Sequence, residues 1–101
     1  MAEDAYRYRF DEGVELHKAE STLLLSTLAV EGLYGEARVR MDAAYRVDRT
    51  IRAIIVDAST SVGQAVNCVF TALLLRGFGR ESFHVRRVKA HPLRRCREAK
   101  G

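Results

Sequence analysis

Segment 57–61 combines a carboxylate, Asp57, with the three hydroxyls of Ser59, Thr60 and Ser61. An apolar run typical of a strand precedes it and an apolar helical pattern follows it, so we expect a helix to begin here. Unpaired N–H groups at a helix start favour an anion, but serine and threonine there are also what capping requires, and Asp57 repels an anion. We therefore expect a capping role, by Ser61 in a capping box or by Ser59 or Thr60. A small-ligand or anion site at the three hydroxyls is the alternative.

Other residue types that carry chemistry are scattered along the chain. Three histidines lie on a predicted helix, a predicted strand and the C-terminal tail, and none has a second ligand three or four residues away. Cys68 falls in an apolar helical pattern, which predicts a buried thiol, and Cys96 lies among charged residues, which predicts an exposed one. The turn after the first predicted strand is acidic, and the sequence contains no glycine-rich phosphate loop. We expect no metal and no cofactor, and the pattern disfavours an enzyme.

Arginines alternate with apolar residues in two segments. In Tyr6–Phe10 the aromatic residues occupy even positions and the arginines odd ones, which predicts a strand with its aromatics inward. Residues 37–47 alternate in the same way, so we predict a second strand with Arg38, Arg40 and Arg46 on its outer face. Because the aromatic residues share the inward phase, we expect no base-stacking platform on the outer face.

The third predicted strand, Ile51 to Val56, is apolar on both faces, as a central strand is. Either Ile51, Ala53 and Ile55 or the alternate residues must then point away from the helices. An apolar strip bordered by arginines has the composition of a protein interface. The predicted interface residues are Arg38, Arg40, Arg46, Ile51, Ala53 and Ile55.

Predicted helices separate these strands, one from about Glu15 to Tyr34 and one beginning at 59–61, and a last strand covers Phe83 to Val88. In the first helix the leucines form one broad stripe, which we expect to face the core. The resulting β-α-β-β-α-β order resembles the ferredoxin-like superfold. We therefore predict an α+β domain with a four-stranded antiparallel sheet and two helices on one face.

The charge of the chain is concentrated at its C-terminal end. Residues 86–101 hold seven basic residues and one acidic residue, which is a net charge of +6. Residues 1–85 carry a net charge of −2, so the whole chain has a net charge of +4. We predict a single domain over 1–88 and a basic, disordered tail over 89–101. Within the tail, Arg94, Arg95 and Arg97 are the candidate nucleic-acid contacts.

These features favour a small non-catalytic interaction module that forms a homo-oligomer, most simply a dimer, through its sheet face. A nucleic-acid-binding protein that uses the outer arginines and the tail is an alternative, as is a small-ligand or anion sensor at the start of the second helix. No apolar run approaches the length of about 20 residues that a membrane span needs, and the acidic N-terminus lacks an apolar signal region. We expect a cytoplasmic location and no membrane partner.

Overall fold

A computed structural model describes residues 4–89 and the backbone of Arg94–Arg95. Within these residues the chain forms an antiparallel sheet and three α-helices. The strands are β1 (Ala5–Phe10), β2 (Ala44–Asp48), β3 (Ala53–Asp57), β4 (Phe83–Val88) and the two-residue β5 (Arg94–Arg95). The helices are α1 (Leu16–Tyr34), α2 (Glu36–Asp42) and α3 (Ser61–Gly77), and a short 3₁₀ turn covers Arg80–Ser82.

The sheet has the order β4-β1-β3-β2-β5, and every neighbouring pair is antiparallel. The order of the four long strands is compatible with the predicted plait. In the register, Arg7 on β1 lies between Arg86 on β4 and Ile55 on β3, and Ile55 is followed by Arg46 on β2. Since strand side chains alternate between faces, these four residues share the outer face of the sheet.

The core lies between the inner face of the sheet and helices α1 and α3. The predicted inward phase of β1 is confirmed, because Tyr8 and Phe10 are buried. The ring of Tyr8 packs edge-on against Phe70 of α3, with 4.7 Å between ring centroids. Its hydroxyl donates to Asn67 Oδ1 at 2.7 Å and lies 3.1 Å from Thr71 Oγ1. Burial raises the pKa of Tyr8 to about 12, with the Thr71 contact opposing the increase.

The strand predicted over 37–47 is wrong in its first half, where residues Glu36–Asp42 form α2. The helix has seven residues and buries only Val39, so its apolar and charged residues can alternate in sequence as they would in a strand. Ion pairs at the i,i+4 spacing favour the helix: Arg40 with Glu36 at 2.9 Å and Arg38 with Asp42 at 3.5 Å. Gly35, with φ of +90°, provides the break between α1 and α2. Arg38 and Arg40 therefore do not lie on the sheet.

The expectation that the leucines of α1 form one core stripe is also wrong. Leu23 is buried, but Leu24, Leu25 and Leu28 are exposed. Ser26 and Thr27 are buried in their place, and their hydroxyls donate to backbone carbonyls of the preceding turn at 2.8 and 2.7 Å. Since their polar atoms are paired, burying them costs little. No helix in the described part of the chain is long and apolar enough to cross a membrane.

The hydroxyl of Tyr8 leads to a prediction for stability. Tyr8→Phe leaves Asn67 Oδ1 without the donor it has in the wild type, so we expect the free energy of unfolding at pH 7 to fall by about 1–3 kcal/mol. Because the folded state favours the neutral phenol, the contribution of this group to stability is complete below pH 10. It is lost as the pH rises from about 10 towards 12, by on the order of 2–3 kcal/mol.

Urea unfolding across this pH range measures the effect. The stability difference between wild type and Tyr8→Phe should narrow or change sign as the pH rises, because the variant has no phenol to ionise at this position. Tyr34→Phe, at a half-buried position, is the matched control. A difference that stays constant through pH 12 would contradict the assignment.

Candidate functional site

The start of α3 is held by a side-chain cap from Thr60. Its Oγ1 accepts from the backbone N–H of Gly63 at 2.9 Å and donates to the carbonyl of Asp42 at 3.3 Å. Of the three candidates left open by the sequence, Thr60 is the N-cap, and Ser61 is the exposed first residue of the helix. The cap also connects α3 to the end of α2, since Asp42 is the last residue of that helix.

The hydroxyls of the predicted anion site are directed at different partners. Ser59 Oγ donates to both carboxylate oxygens of Asp57, at 2.8 and 2.9 Å, and the Ser59 N–H lies 3.3 Å from the same carboxylate. Asp57 is buried, with 6% exposure. Two of the three hydroxyls are thus engaged within the chain, and the charge among them is negative. This arrangement acts as a turn and a cap, and it has the wrong sign to attract an anion.

Helix α3 approaches the end of β3 very closely at Gly63. A Cβ at this position would lie 2.5 Å from the Asp57 carbonyl oxygen, which no side chain tolerates. One turn further on, the Asn67 amide donates to the carbonyls of Asp57 and Gly63 at 3.0 and 2.8 Å, and its own oxygen accepts from Tyr8. The polar groups at this end of the helix are therefore satisfied by each other, which is what a structural junction requires.

The residues predicted to form one interface lie in three different places. Arg38 and Arg40 are on α2, and Ile51 is in the β2–β3 turn with 36% exposure. Arg46 is exposed on the outer sheet face, 4.0 Å from the Asp48 carboxylate. Ala53 and Ile55 are on the same face but buried, with 0 and 4% exposure. The apolar strip expected to be exposed on β3 is therefore not at the surface.

A concavity of about 720 Å³ opens on the outer face of β1 and β4, beside the β2–β3 turn. Four arginines and a histidine line it, and two carboxylates of the β1–α1 loop lie at one end. The basic lining residues are Arg7, Arg9, Arg52, His84 and Arg86. The alternation in β1 indicated that Arg7 and Arg9 face outward, whereas no local pattern showed that Arg52 and His84 would join them.

Arg52 gives the concavity a fixed wall. Its guanidinium donates to the carbonyls of Asp11 and Val14, and its own carbonyl accepts from the Phe10 N–H at 2.9 Å. The backbone of Arg52 has a positive φ of 54°, which is uncommon outside glycine, and its Nε is buried without a partner in the described residues. These bonds anchor the β1–α1 loop to the β2–β3 turn.

Two further predictions concern metals and the tail. Residues 4–89 contain no group of three His, Cys, Asp or Glu side chains placed to share a metal ion. The backbones of Arg94 and Arg95 form β5, where Arg95 pairs with Ala44 and Arg94 with Tyr45. Arg97 and the rest of the predicted tail beyond Lys89 lie outside the described residues.

No family model, curated protein or solved structure matches the chain.

The assignment of the cap predicts different outcomes for two neighbouring hydroxyls. Thr60→Ala removes the acceptor of the Gly63 N–H, so we expect the free energy of unfolding to fall by about 0.5–2 kcal/mol. Ser61→Ala, the control, should change it by less than about 0.5 kcal/mol, because Ser61 is exposed and is not the cap. Chemical denaturation measures both, and a larger loss from Ser61→Ala would contradict the assignment.

Proposed function

We propose that this chain is a non-catalytic interaction module with a ferredoxin-like plait, extended by α2, that assembles with a second copy of itself. The observation that carries the proposal is the solvent side of α1. There Leu24, Leu25 and Leu28 are 48, 57 and 61% exposed, on the side of the helix opposite Ala19, Leu23 and Val30. A helix that is apolar on both sides belongs in a protein interior or an interface.

The neighbouring helix α3 extends this uncharged surface. The α1 and α3 helices pack side by side, and between Ala58 and Leu75 the sequence contains no charged residue. Along the outer side of α3, Cys68, Ala72 and Leu75 are exposed, so the expectation of a buried Cys68 thiol is wrong. From Ser21 to Gly35 the single charged residue is Glu31. We call the outer sides of α1 and α3 the helix face.

Three of the acidic residues on or next to α1 are paired within the chain; Glu31 has no ion-pair partner among the described residues. Glu15 lies 3.4 Å from Lys18, Glu20 lies 3.5 Å from Arg49, and Glu36 lies 2.9 Å from Arg40. Two copies that meet through the helix face therefore bring together largely apolar surfaces, with Glu31 as the one charge of the Ser21–Gly35 segment. In a two-fold dimer the same patch is used by both subunits, so it must tolerate itself, and an uncharged leucine surface does so without repulsion.

The helix face is large enough for a specific contact. A 19-residue helix is about 28 Å long, and two adjacent helices are roughly 20 Å wide, which gives a footprint on the order of 500 Å². This is the same order as the roughly 800 Å² that each partner contributes to a standard interface. The outer sheet face supports self-association less well, because Ala53 and Ile55 are already buried.

The test is the mass of the full chain in solution, measured by light scattering over a wide range of concentrations. The wild type should exceed the 11.4 kDa of one chain at micromolar concentration. Leu25→Glu combined with Leu28→Glu should return it to one chain, because a dimer would have to bury the new carboxylates. Both positions are exposed and glutamate is a good helix former, so the fold should persist.

Ile51→Glu is the matched control, since Ile51 is an exposed apolar residue near the sheet side. It should leave the assembly intact, and dissociation by Ile51→Glu alone would point to the sheet face instead. Ile55→Asp should unfold the chain, because it places a charge at a buried position. A wild-type mass of one chain at every concentration overturns the proposal.

A further inference from the structure

The outer face of β1 and β4 carries three arginines and a histidine in adjacent register positions. Arg7 pairs with Arg86 across the two strands, and Arg9 pairs with His84. We call these four residues the cationic patch. Facing positions on adjacent strands have Cβ atoms about 5 Å apart, and next-but-one positions on one strand are about 7 Å apart. The patch thus places three permanent positive charges within a small area.

The arginines of the cationic patch have no acidic partners within residues 4–89: no carboxylate of the described chain lies within 4.0 Å of them. Elsewhere in the same residues, four arginines each have a carboxylate oxygen at 4.0 Å or less. They are Arg38, Arg40, Arg46 and Arg49. Because like charges directly opposite each other destabilise a strand pair, the Arg7–Arg86 position is unfavourable until an anion lies between the two guanidinium groups.

The shape of the surface directs an anion to this patch. The patch lines the concavity of about 720 Å³ together with Arg52, whose guanidinium is held by its bonds to the β1–α1 loop. Asp11 and Glu12 also line the concavity, at its loop end. With the four lining arginines they give the concavity a net charge of +2 when His84 is neutral. Because these two carboxylates repel an anion, the anion is favoured nearer Arg7 and Arg86.

The extent of the basic surface indicates a long polyanion. The row Arg86, Arg7, Ile55, Arg46 crosses from β4 to β2, which is three strand spacings or about 14 Å, with the buried Ile55 between its arginines and Arg46 lying 4.0 Å from the Asp48 carboxylate. A single phosphate group is much shorter than this row, whereas successive phosphates of a nucleic acid strand can follow it. Arginine suits this contact because its planar fork binds phosphate oxygens in pairs.

We propose that the outer sheet face binds nucleic acid through its phosphate backbone, with Arg7, Arg9 and Arg86 as the main contacts. The aromatic residues of the long strands that the register places, Tyr6, Tyr8, Phe10, Tyr45 and Phe83, share the helix-facing phase, so the described part of this face has no ring for bases to stack on. Binding therefore depends on charge, tolerates any base sequence and weakens steeply as salt is raised. This function is independent of self-association, because it uses the opposite face of the sheet.

The experiment measures binding of the full chain to a fluorescent 20-nucleotide strand by anisotropy, at several salt concentrations between about 0.05 and 0.3 M. The double variant Arg7→Gln with Arg86→Gln should bind at least about tenfold more weakly at the lowest salt. Its slope of log affinity against log salt should be lower by about two, one for each lost phosphate contact. Arg80→Gln, the same change at an exposed arginine that does not line the concavity, should bind as the wild type does.

Three outcomes overturn the proposal. The first is equal binding by the double variant and Arg80→Gln. The second is displacement of the strand by tripolyphosphate at the same phosphate concentration, which would indicate a small phosphate ligand. The third is displacement by polyglutamate at the same charge, which would indicate an acidic protein partner. The monomeric Leu25→Glu and Leu28→Glu form should retain binding in this assay, which separates a failure of self-association from a failure of this inference.

Discussion

The hydrogen bond from the Tyr8 hydroxyl to Asn67 Oδ1 connects the inner strand β1 to α3, and much of the structure depends on it. The Asn67 amide in turn binds the carbonyls of Asp57 and Gly63, so one buried side chain joins β1, β3 and α3. Such a contact is strong only where water is excluded, and an unpaired amide there would be costly. Gly63 makes it possible, since a side chain at that position would hold α3 away from β3.

The position of Tyr8 also determines the chemistry of the opposite face. Once Tyr8 and Phe10 point to the helices, the alternation of β1 requires Arg7 and Arg9 to point outward. The pairing of β1 with β4 then places Arg86 directly across from Arg7. The fold therefore produces a repulsive pair on the sheet as a consequence of its core, and the surrounding sequence provides no carboxylate to neutralise it within the described residues.

Sequence reasoning located the elements with a single, strong periodicity. The first and last strands, the long helix and the start of α3 lie where the sequence predicted them, because turn residues and apolar periodicity mark their positions, although the burial within α1 and β4 does not follow the expected repeat. It failed at α2, where seven residues are too few to separate a helical from an alternating pattern. It also failed for the leucines of α1, since a helix apolar on both sides does not reveal which side faces the core. Ser26 and Thr27 are buried on the other side, with their hydroxyls bonded to carbonyls of their own helix.

The cationic patch and the helix face lie on opposite sides of a two-layer molecule, and this separation constrains any assembly. A dimer formed through the helix face would stack four layers, with the two sheets outside and separated by roughly 30 Å if each layer spacing is about 10 Å. The two arginine-lined faces would then point in opposite directions. One strand of nucleic acid could not lie on both without passing around the dimer, so each face would bind a separate segment. A gain in affinity from two linked sites would require segments that can reach both sides.

Assembly through the sheet face would instead make the arginines inaccessible to nucleic acid, because it would cover them. It would also bring their like charges together at the centre of the interface, where water is least able to screen them.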